Sequence, residues 1–165
     1  MNPLRQLTEL GQSIWLDYIR RDLITSGQLQ QLIEEDGVSG ITSNPTIFAK
    51  ALAEEAVYDS AIRKILDDNS DLATPQLFER IQIEDLQMAA DVLRPLYERT
   101  GGSDGFVSIE VSPHLAYDTE RSIAEARRLW ADVNRKNLMV KIPATPKVFP
   151  PLSSCWLKAS TSTSR

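Results

Sequence analysis

The sequence predicts an α/β fold in which helices alternate with the strands of a parallel sheet. Short apolar runs with the density of buried strands alternate with longer segments in which apolar residues recur at helical spacing. Turn-forming glycine, asparagine and proline residues mark the junctions. This alternation is typical of α/β proteins, and no internal repeat or linker divides residues 1–146 into two domains.

Four strands are predicted, with helical segments between them. The strands are SIWLDY at 13–18, VSGITSNP at 38–45, GFVSIEVS at 105–112 and NLMVKIP at 137–143. Asp36-Gly37 should stop the first helical segment, which carries Leu29 on its apolar face. Helices follow near 46–52 and 55–67.

A long helix is predicted from Thr74 as N-cap, with Pro75 at its first position, towards Tyr97. Pro95 should kink or shorten its last turn. Asp118 or Thr119 should cap the next helix.

Composition narrows the class of protein. A chain of 165 residues, 42% hydrophobic and 25% charged, can build one globular core. The net charge of −5 argues against nucleic-acid binding. One cysteine, Cys155, excludes an internal disulfide, and neither a signal segment nor an apolar run of about 18 residues is present. We therefore expect a cytoplasmic protein that binds neither nucleic acid nor membrane.

Each predicted strand has one aliphatic face and one face with a polar group near its C-terminal end. Because side chains alternate along a strand, Ile41 opposes Gly40 and Thr42, and Val140 opposes Lys141. The polar faces together carry Asp17, Thr42, Asn44, Ser108, Glu110 and Lys141. A parallel β/α barrel gathers reactive groups at the C-terminal mouth of its inner face in this way.

Lys141 is the strongest candidate for a catalytic residue among these. An ammonium group is costly to bury, and desolvation favours the neutral amine, which attacks carbonyl carbons. Glu110 and Asp17 could then move protons around an imine. A structural ion pair of Lys141 with Glu110 or Asp17 is the alternative that spacing alone leaves open.

Four segments resemble the transaldolase family in its longer bacterial form. They are SIWLDYIRRD, GITSNPTIF, GFVSIEVSPHLAYDTERSIAEARRL and NLMVKIPATP, and they occur in the family's order and spacing over roughly residues 1–146. The resemblance implies the N-terminal half of a (β/α)8 barrel. It also implies transfer of a dihydroxyacetone unit between sugar phosphates in the pentose phosphate pathway.

The same resemblance implies the roles of individual residues. Lys141 matches the Schiff-base lysine, Asp17 the acid/base that handles the substrate hydroxyl, and Glu110 the carboxylate that works through the catalytic water. Asn44 matches the asparagine that contacts the dihydroxyacetone unit, and Thr42 is the second substrate-binding residue. No metal or organic cofactor is implied, because the lysine imine itself acts as electron sink. The implied substrates are sedoheptulose 7-phosphate, glyceraldehyde 3-phosphate, fructose 6-phosphate and erythrose 4-phosphate.

The resemblance stops after Pro146. Residues 147–165 contain no acidic residue and carry +3, so the net −5 leaves −8 on residues 1–146. One nucleotide sequence that can encode this tail, read in a frame shifted by two bases, translates to GIPALEQLLAEGINVNVT. That segment is the helix and strand expected of the family. We interpret 147–165 as an out-of-frame, disordered tail. If the gene carries no in-frame continuation of the family sequence downstream, this interpretation is wrong. The alternative is that the tail evolved as a polar extension of the chain.

Four strands alone leave the barrel incomplete. We expect unpaired strand edges, self-association through them and little or no turnover by the 165-residue chain. Two other functions stay open: a related class I sugar-phosphate aldolase, and a gene remnant without enzymatic activity.

Overall fold

The computed structural model describes residues 2–43, 45–54 and 56–145. The predicted strands are present there as β1 (Ile14–Leu16), β2 (Val38–Thr42), β3 (Phe106–Glu110) and β4 (Leu138–Lys141). They form one parallel sheet in the order β1-β2-β3-β4. Each strand pairs with its neighbour in sequence, as in the N-terminal half of a (β/α)8 barrel, so the predicted fold class is confirmed.

Helices connect the strands and cover one face of the sheet. They are α1 (Pro3–Glu9), α2 (Arg21–Thr25), α3 (Gln28–Gln31), α4 (Pro45–Glu54), α5 (Asp59–Asp68), α6 (Thr74–Arg99) and α7 (Thr119–Val133). A π-helical turn spans Leu32–Asp36, and 3-10 turns span Ala56–Tyr58 and Pro113–Leu115.

Helix α1 was not predicted. Its Leu4 and Leu7 recur at helical spacing, but they are 38% and 42% exposed and the helix buries no residue. Polar contacts hold it instead. The Asn2 side chain accepts a hydrogen bond from Leu4 N, and Arg5 Nε donates to the carbonyl oxygen of Glu35 at 2.8 Å. The Arg5 contact attaches α1 to the turn that precedes β2.

Several predicted boundaries need correction. Strand β1 ends at Leu16, so Asp17 lies just beyond the strand rather than inside it. Ala73, not Thr74, is the N-cap of α6, and its N–H donates to Gln76 Oε1 at 3.0 Å. Pro95 does not shorten α6, which continues to Arg99.

Other expectations about helix ends are confirmed. The segment after β1 stops at Gly37, whose φ of +76° suits glycine, although α2, α3 and the π-helical turn replace a single helix. Asp118 caps α7 through a 3.0 Å hydrogen bond from Arg121 N.

The core lies between the aliphatic face of the sheet and the helices. Strand residues Ile41, Val107 and Ile109 are almost fully inaccessible to solvent. They belong to the same apolar cluster as buried residues of α6 and α7, namely Ile81, Leu86, Ala89, Ala90, Leu93, Leu129 and Val133. Burying each larger aliphatic side chain contributes about 1.5–3 kcal/mol, so this layer is what holds the polar face in place.

Two predictions fall on residues that the structure does not describe. These are Asn44 and the segment from Pro146 onwards, which contains the tail at 147–165. The division into 1–146 and 147–165 therefore stays a prediction. Within the described ranges, no helix is long and apolar enough to cross a membrane.

Candidate active site

The polar face of the sheet gathers the sequence-predicted residues near the carboxyl ends of the strands. Thr42 is in register with Ser108, Ser108 with Met139, and Glu110 with Lys141. Residues in register on neighbouring parallel strands point to the same face. Thr42, Glu110 and Lys141 therefore lie together, as predicted from alternation alone.

Lys141 is the centre of this cluster. Its Nζ lies 2.7 Å from Glu110 Oε1 and donates a hydrogen bond to Thr42 Oγ1 at 2.6 Å. A carboxylate at this distance can stabilise the ammonium or accept its proton. The cluster can therefore supply an amine nucleophile together with the base that frees it.

The expected burial of Lys141 is not found in the described residues. Its side chain is 43% exposed and that of Glu110 is 37% exposed. The reason is topological: within residues 2–43, 45–54 and 56–145, β4 pairs with β3 alone and forms an edge of the sheet. Solvent therefore reaches the amine from the open side.

Ser108 lies beneath this cluster on the central strand β3. Its side chain is almost completely buried, and its Oγ donates to Thr42 Oγ1 at 3.1 Å. Thr42 thus receives hydrogen bonds from both Ser108 and Lys141. Alternation along β3 predicted Ser108 on this face but no role for it; its position opposite Thr42 was the available signal.

Asp17 and Ser43 directly follow the carboxyl ends of the neighbouring strands β1 and β2. Asp17 follows β1 directly and is exposed. Asn44 lies outside the described residues, but Ser43 is tightly held: its N–H donates to the carbonyl oxygen of Ser108 at 3.1 Å, and its buried Oγ accepts from Gln82 Nε2 at 3.1 Å. The backbone is thereby fixed up to the residue before Asn44.

Trp15 packs across the polar face towards the amino ends of the strands. A Cβ placed on Gly40 would lie 2.4 Å from Trp15 Cε2, so the indole ring rests directly on the β2 backbone. Glycine at this position of β2 admits the ring. The indole thus covers the face below Thr42.

A buried polar network that was not predicted from the sequence lies behind the β1–α2 connection. Arg21 Nε lies 2.6 Å from Asp85 Oδ1, and Tyr58 Oη donates to Asp85 Oδ2 at 2.8 Å. Arg21 N in turn donates to Tyr58 Oη at 3.0 Å. This network ties the start of α2, close to Asp17, to α6.

No group of three or more histidine, cysteine, aspartate or glutamate residues suited to a metal ion occurs in the part of the chain that the structure describes. The chemistry that the arrangement can support is that of the amine. An unprotonated Nζ can add to a ketone carbon, and the neighbouring carboxylate can move the protons.

Comparison with known proteins decides the family. The sequence model of the transaldolase/fructose-6-phosphate aldolase family matches residues 14–153, which include all four strands. The chain belongs to this family. Its transaldolase relatives include that of Thiobacillus denitrificans, 48% identical over 147 residues, or 89% of this chain.

Two further relatives agree. The transaldolase of Thermobifida fusca is 50% identical over 153 residues, or 93% of this chain, and transaldolase 2 of Nostoc punctiforme is 46% identical over 149 residues, or 90%. The aligned part is 40%, 41% and 39% of the length of these three transaldolases. The chain therefore spans about two fifths of the length of the curated relatives it matches.

Proposed function

We propose that this chain carries the imine-forming half of a transaldolase site. Lys141 Nζ attacks the C2 ketone of a sugar phosphate, and loss of one water leaves a Schiff base. The observation that carries the proposal is the contact of Nζ with Glu110 Oε1 at 2.7 Å on a sheet of the transaldolase family.

The proposed reaction transfers a three-carbon unit. Asp17 takes the proton of the substrate hydroxyl while the bond between C3 and C4 breaks, which releases an aldose phosphate and leaves an enamine on Lys141. Glu110 acts on the water that forms or hydrolyses the imine, and Thr42 and Asn44 hold the dihydroxyacetone unit. Addition of the enamine to a second aldose phosphate completes the transfer.

The substrates proposed are those of the pentose phosphate pathway in the cytoplasm. Sedoheptulose 7-phosphate and fructose 6-phosphate are the ketose donors, and glyceraldehyde 3-phosphate and erythrose 4-phosphate are the aldehyde acceptors. No organic cofactor is required, because the protonated imine withdraws the electrons that cleavage releases.

We propose further that these 165 residues alone turn over little or no substrate. The described sheet leaves Lys141, Glu110 and Met139 each more than a third exposed, whereas preorganised catalysis uses a water-excluded site. A barrel interior is filled by side chains from all eight strands, and the described residues supply four.

Borohydride trapping with fructose 6-phosphate tests the proposal. We expect a reduced adduct on the Lys141 peptide, and none in Lys141→Met. An adduct carrying the whole hexose phosphate indicates imine formation alone, whereas a three-carbon adduct indicates cleavage as well. If the unchanged chain gives no Lys141 adduct, the chain is better described as a remnant without enzymatic activity.

A class I sugar-phosphate aldolase is the second candidate, because the family description includes fructose-6-phosphate aldolase. Such an enzyme accepts free dihydroxyacetone. Trapping with dihydroxyacetone in place of fructose 6-phosphate therefore separates the candidates: efficient labelling of Lys141 by the free ketone favours the aldolase.

A further inference from the structure

We propose that Ser108 is a positioning residue that acts through Thr42 on Lys141. Its hydroxyl orients that of Thr42 so that the threonine accepts a hydrogen bond from the amine and does not donate one to it. This inference rests on the proposed imine chemistry of Lys141 and assigns a role to a residue that touches no substrate.

The location of Ser108 supports this role. Strand β3 lies between β2 and β4, so the Lys141 side chain must extend across β3 to reach Thr42. Ser108 is the β3 residue in register with Thr42. A short side chain at this position leaves room for the aliphatic stem of the lysine.

The hydrogen-bond donors and acceptors around Thr42 also support this role. An ammonium group only donates, so Thr42 Oγ1 must accept from Lys141 at 2.6 Å. Ser108 Oγ donates to the same oxygen at 3.1 Å. A hydroxyl has two acceptor lone pairs and one proton, so both lone pairs of Thr42 are occupied and its proton points away from both partners.

This arrangement matters when the amine loses its proton. A neutral amine has one lone pair, which must face the carbonyl carbon in order to attack. Without Ser108, the Thr42 hydroxyl can rotate and donate its proton into that lone pair. The Ser108 hydrogen bond opposes this rotation and keeps the nitrogen available.

Ser108 itself has little freedom. Its side chain is 2% exposed, and its carbonyl oxygen accepts the 3.1 Å hydrogen bond from Ser43 N. A buried hydroxyl without a partner is unfavourable, which further favours the hydrogen bond to Thr42.

Reductive methylation of the 165-residue chain tests this role. The lysine amine attacks formaldehyde, water leaves, and cyanoborohydride delivers hydride to the imine carbon, so the rate reports imine formation without any sugar phosphate. Peptide mass spectrometry gives the rate at Lys141 relative to the exposed Lys64 and Lys136, which serve as internal references.

We expect Ser108→Ala to lower the normalised Lys141 rate about three- to tenfold, the range that one hydrogen bond covers. Ser108→Cys keeps the side chain short with a weaker donor and should give a Lys141 rate between those of Ser108→Ala and the unchanged chain. In a Thr42→Val background, Ser108→Ala should have no further effect, because the hydroxyl that it would release is already absent.

A purely structural role for Ser108 gives a different pattern. An unchanged Lys141 rate in folded Ser108→Ala, or an equal loss in the presence and absence of the Thr42 hydroxyl, overturns the proposal. Circular dichroism checks folding. If Ser108→Ala does not fold, Ser108→Cys takes its place in the test. Cysteine keeps the side-chain volume but is a weaker hydrogen-bond donor, so this variant should also lower the Lys141 rate.

The two proposals fail separately. Absence of a fructose 6-phosphate adduct contradicts the proposed sugar chemistry, whereas the formaldehyde rates still decide whether Ser108 controls the amine through Thr42.

Discussion

Asp85 is the most deeply buried carboxylate of the described residues, with no solvent exposure. Burial raises the pKa of its carboxyl, against the opposing effect of the Arg21 guanidinium. Burial and the negative charge of Asp85 likewise raise the pKa of Tyr58 well above its usual range. Tyr58 therefore stays protonated and can donate to Asp85.

Replacement of Asp85 should be costly. Asp85→Asn leaves the 13%-exposed Arg21 side chain without its buried counter-charge, and breaking a buried pair costs about 3–5 kcal/mol. Tyr58→Phe removes a neutral hydroxyl that donates to Asp85 and accepts from Arg21 N, and should cost about 1–3 kcal/mol. Urea unfolding of both variants measures the difference. If Asp85→Asn costs no more than Tyr58→Phe, the network is not the anchor that we describe.

At the level of single residues, the sequence predicted the polar face and missed what lies behind it. Period-2 alternation is local, so it placed Thr42, Glu110 and Lys141 on one face correctly. The Arg21–Asp85 pair joins residues 64 positions apart, and no local pattern signals it. The exposure of Lys141 depends on which strands flank β4, which is also non-local information.

Gly105 controls how α6 connects to β3. Its φ is +85°, and a Cβ there would lie 2.3 Å from the backbone nitrogen of Tyr97. Its N–H donates to the carbonyl oxygen of Ser39 at 2.7 Å, and its own carbonyl oxygen accepts from Asn137 Nδ2 at 2.8 Å. The element junction therefore needs both the left-handed conformation and the missing side chain.

Gly105→Ala should destabilise the fold more than Gly101→Ala does. Gly101 also has positive φ, +63°, but a Cβ on it would meet no atom within 4 Å, so alanine there costs only the backbone term of about 1–2 kcal/mol. Overpacking against Tyr97 adds about 1–3 kcal/mol at Gly105. Thermal unfolding compares the two variants, and equal losses would mean that α6 shifts freely.

At the level of elements, strong periodic signals were reliable and weak ones were not. The strands and the helices α6 and α7 followed from apolar periodicity. Helix α1 has only Leu4 and Leu7 at helical spacing and buries no residue, and the division of the segment after β1 depends on tertiary packing that buries Leu29. Neither feature has a distinct signal in the sequence.

The whole described sheet has two open edges, β1 and β4. The carbonyl oxygens of Asn137 and Lys141 accept from Val107 and Val111 on β3. Backbone groups alternate in direction along a strand, so those of Val140 point away from β3. Backbone N–H and C=O groups that point outward along a strand edge can pair with a strand of another molecule. We therefore expect the 165-residue chain to self-associate.

Val140→Pro should reduce this association. Proline removes an outward N–H and is tolerated on edge strands. Met139→Pro is the matched control, because its N–H faces β3 and its loss should unfold β4. Sedimentation over a range of concentrations measures association. A chain that is monomeric throughout, or Val140→Pro that associates as before, contradicts the expectation.

The strand order has a consequence for biosynthesis. The strands β2, β3 and β4 each pair with the strand that precedes them in sequence. Each new β/α unit can therefore dock on a strand that has already been synthesised when it leaves the ribosome. Pairing need not wait for distant segments, so the slow search that long-range strand pairing imposes is reduced. The order β1-β2-β3-β4 thus lets the chain assemble vectorially, with β1, β2 and the layer around Trp15 in place before Lys141 is synthesised.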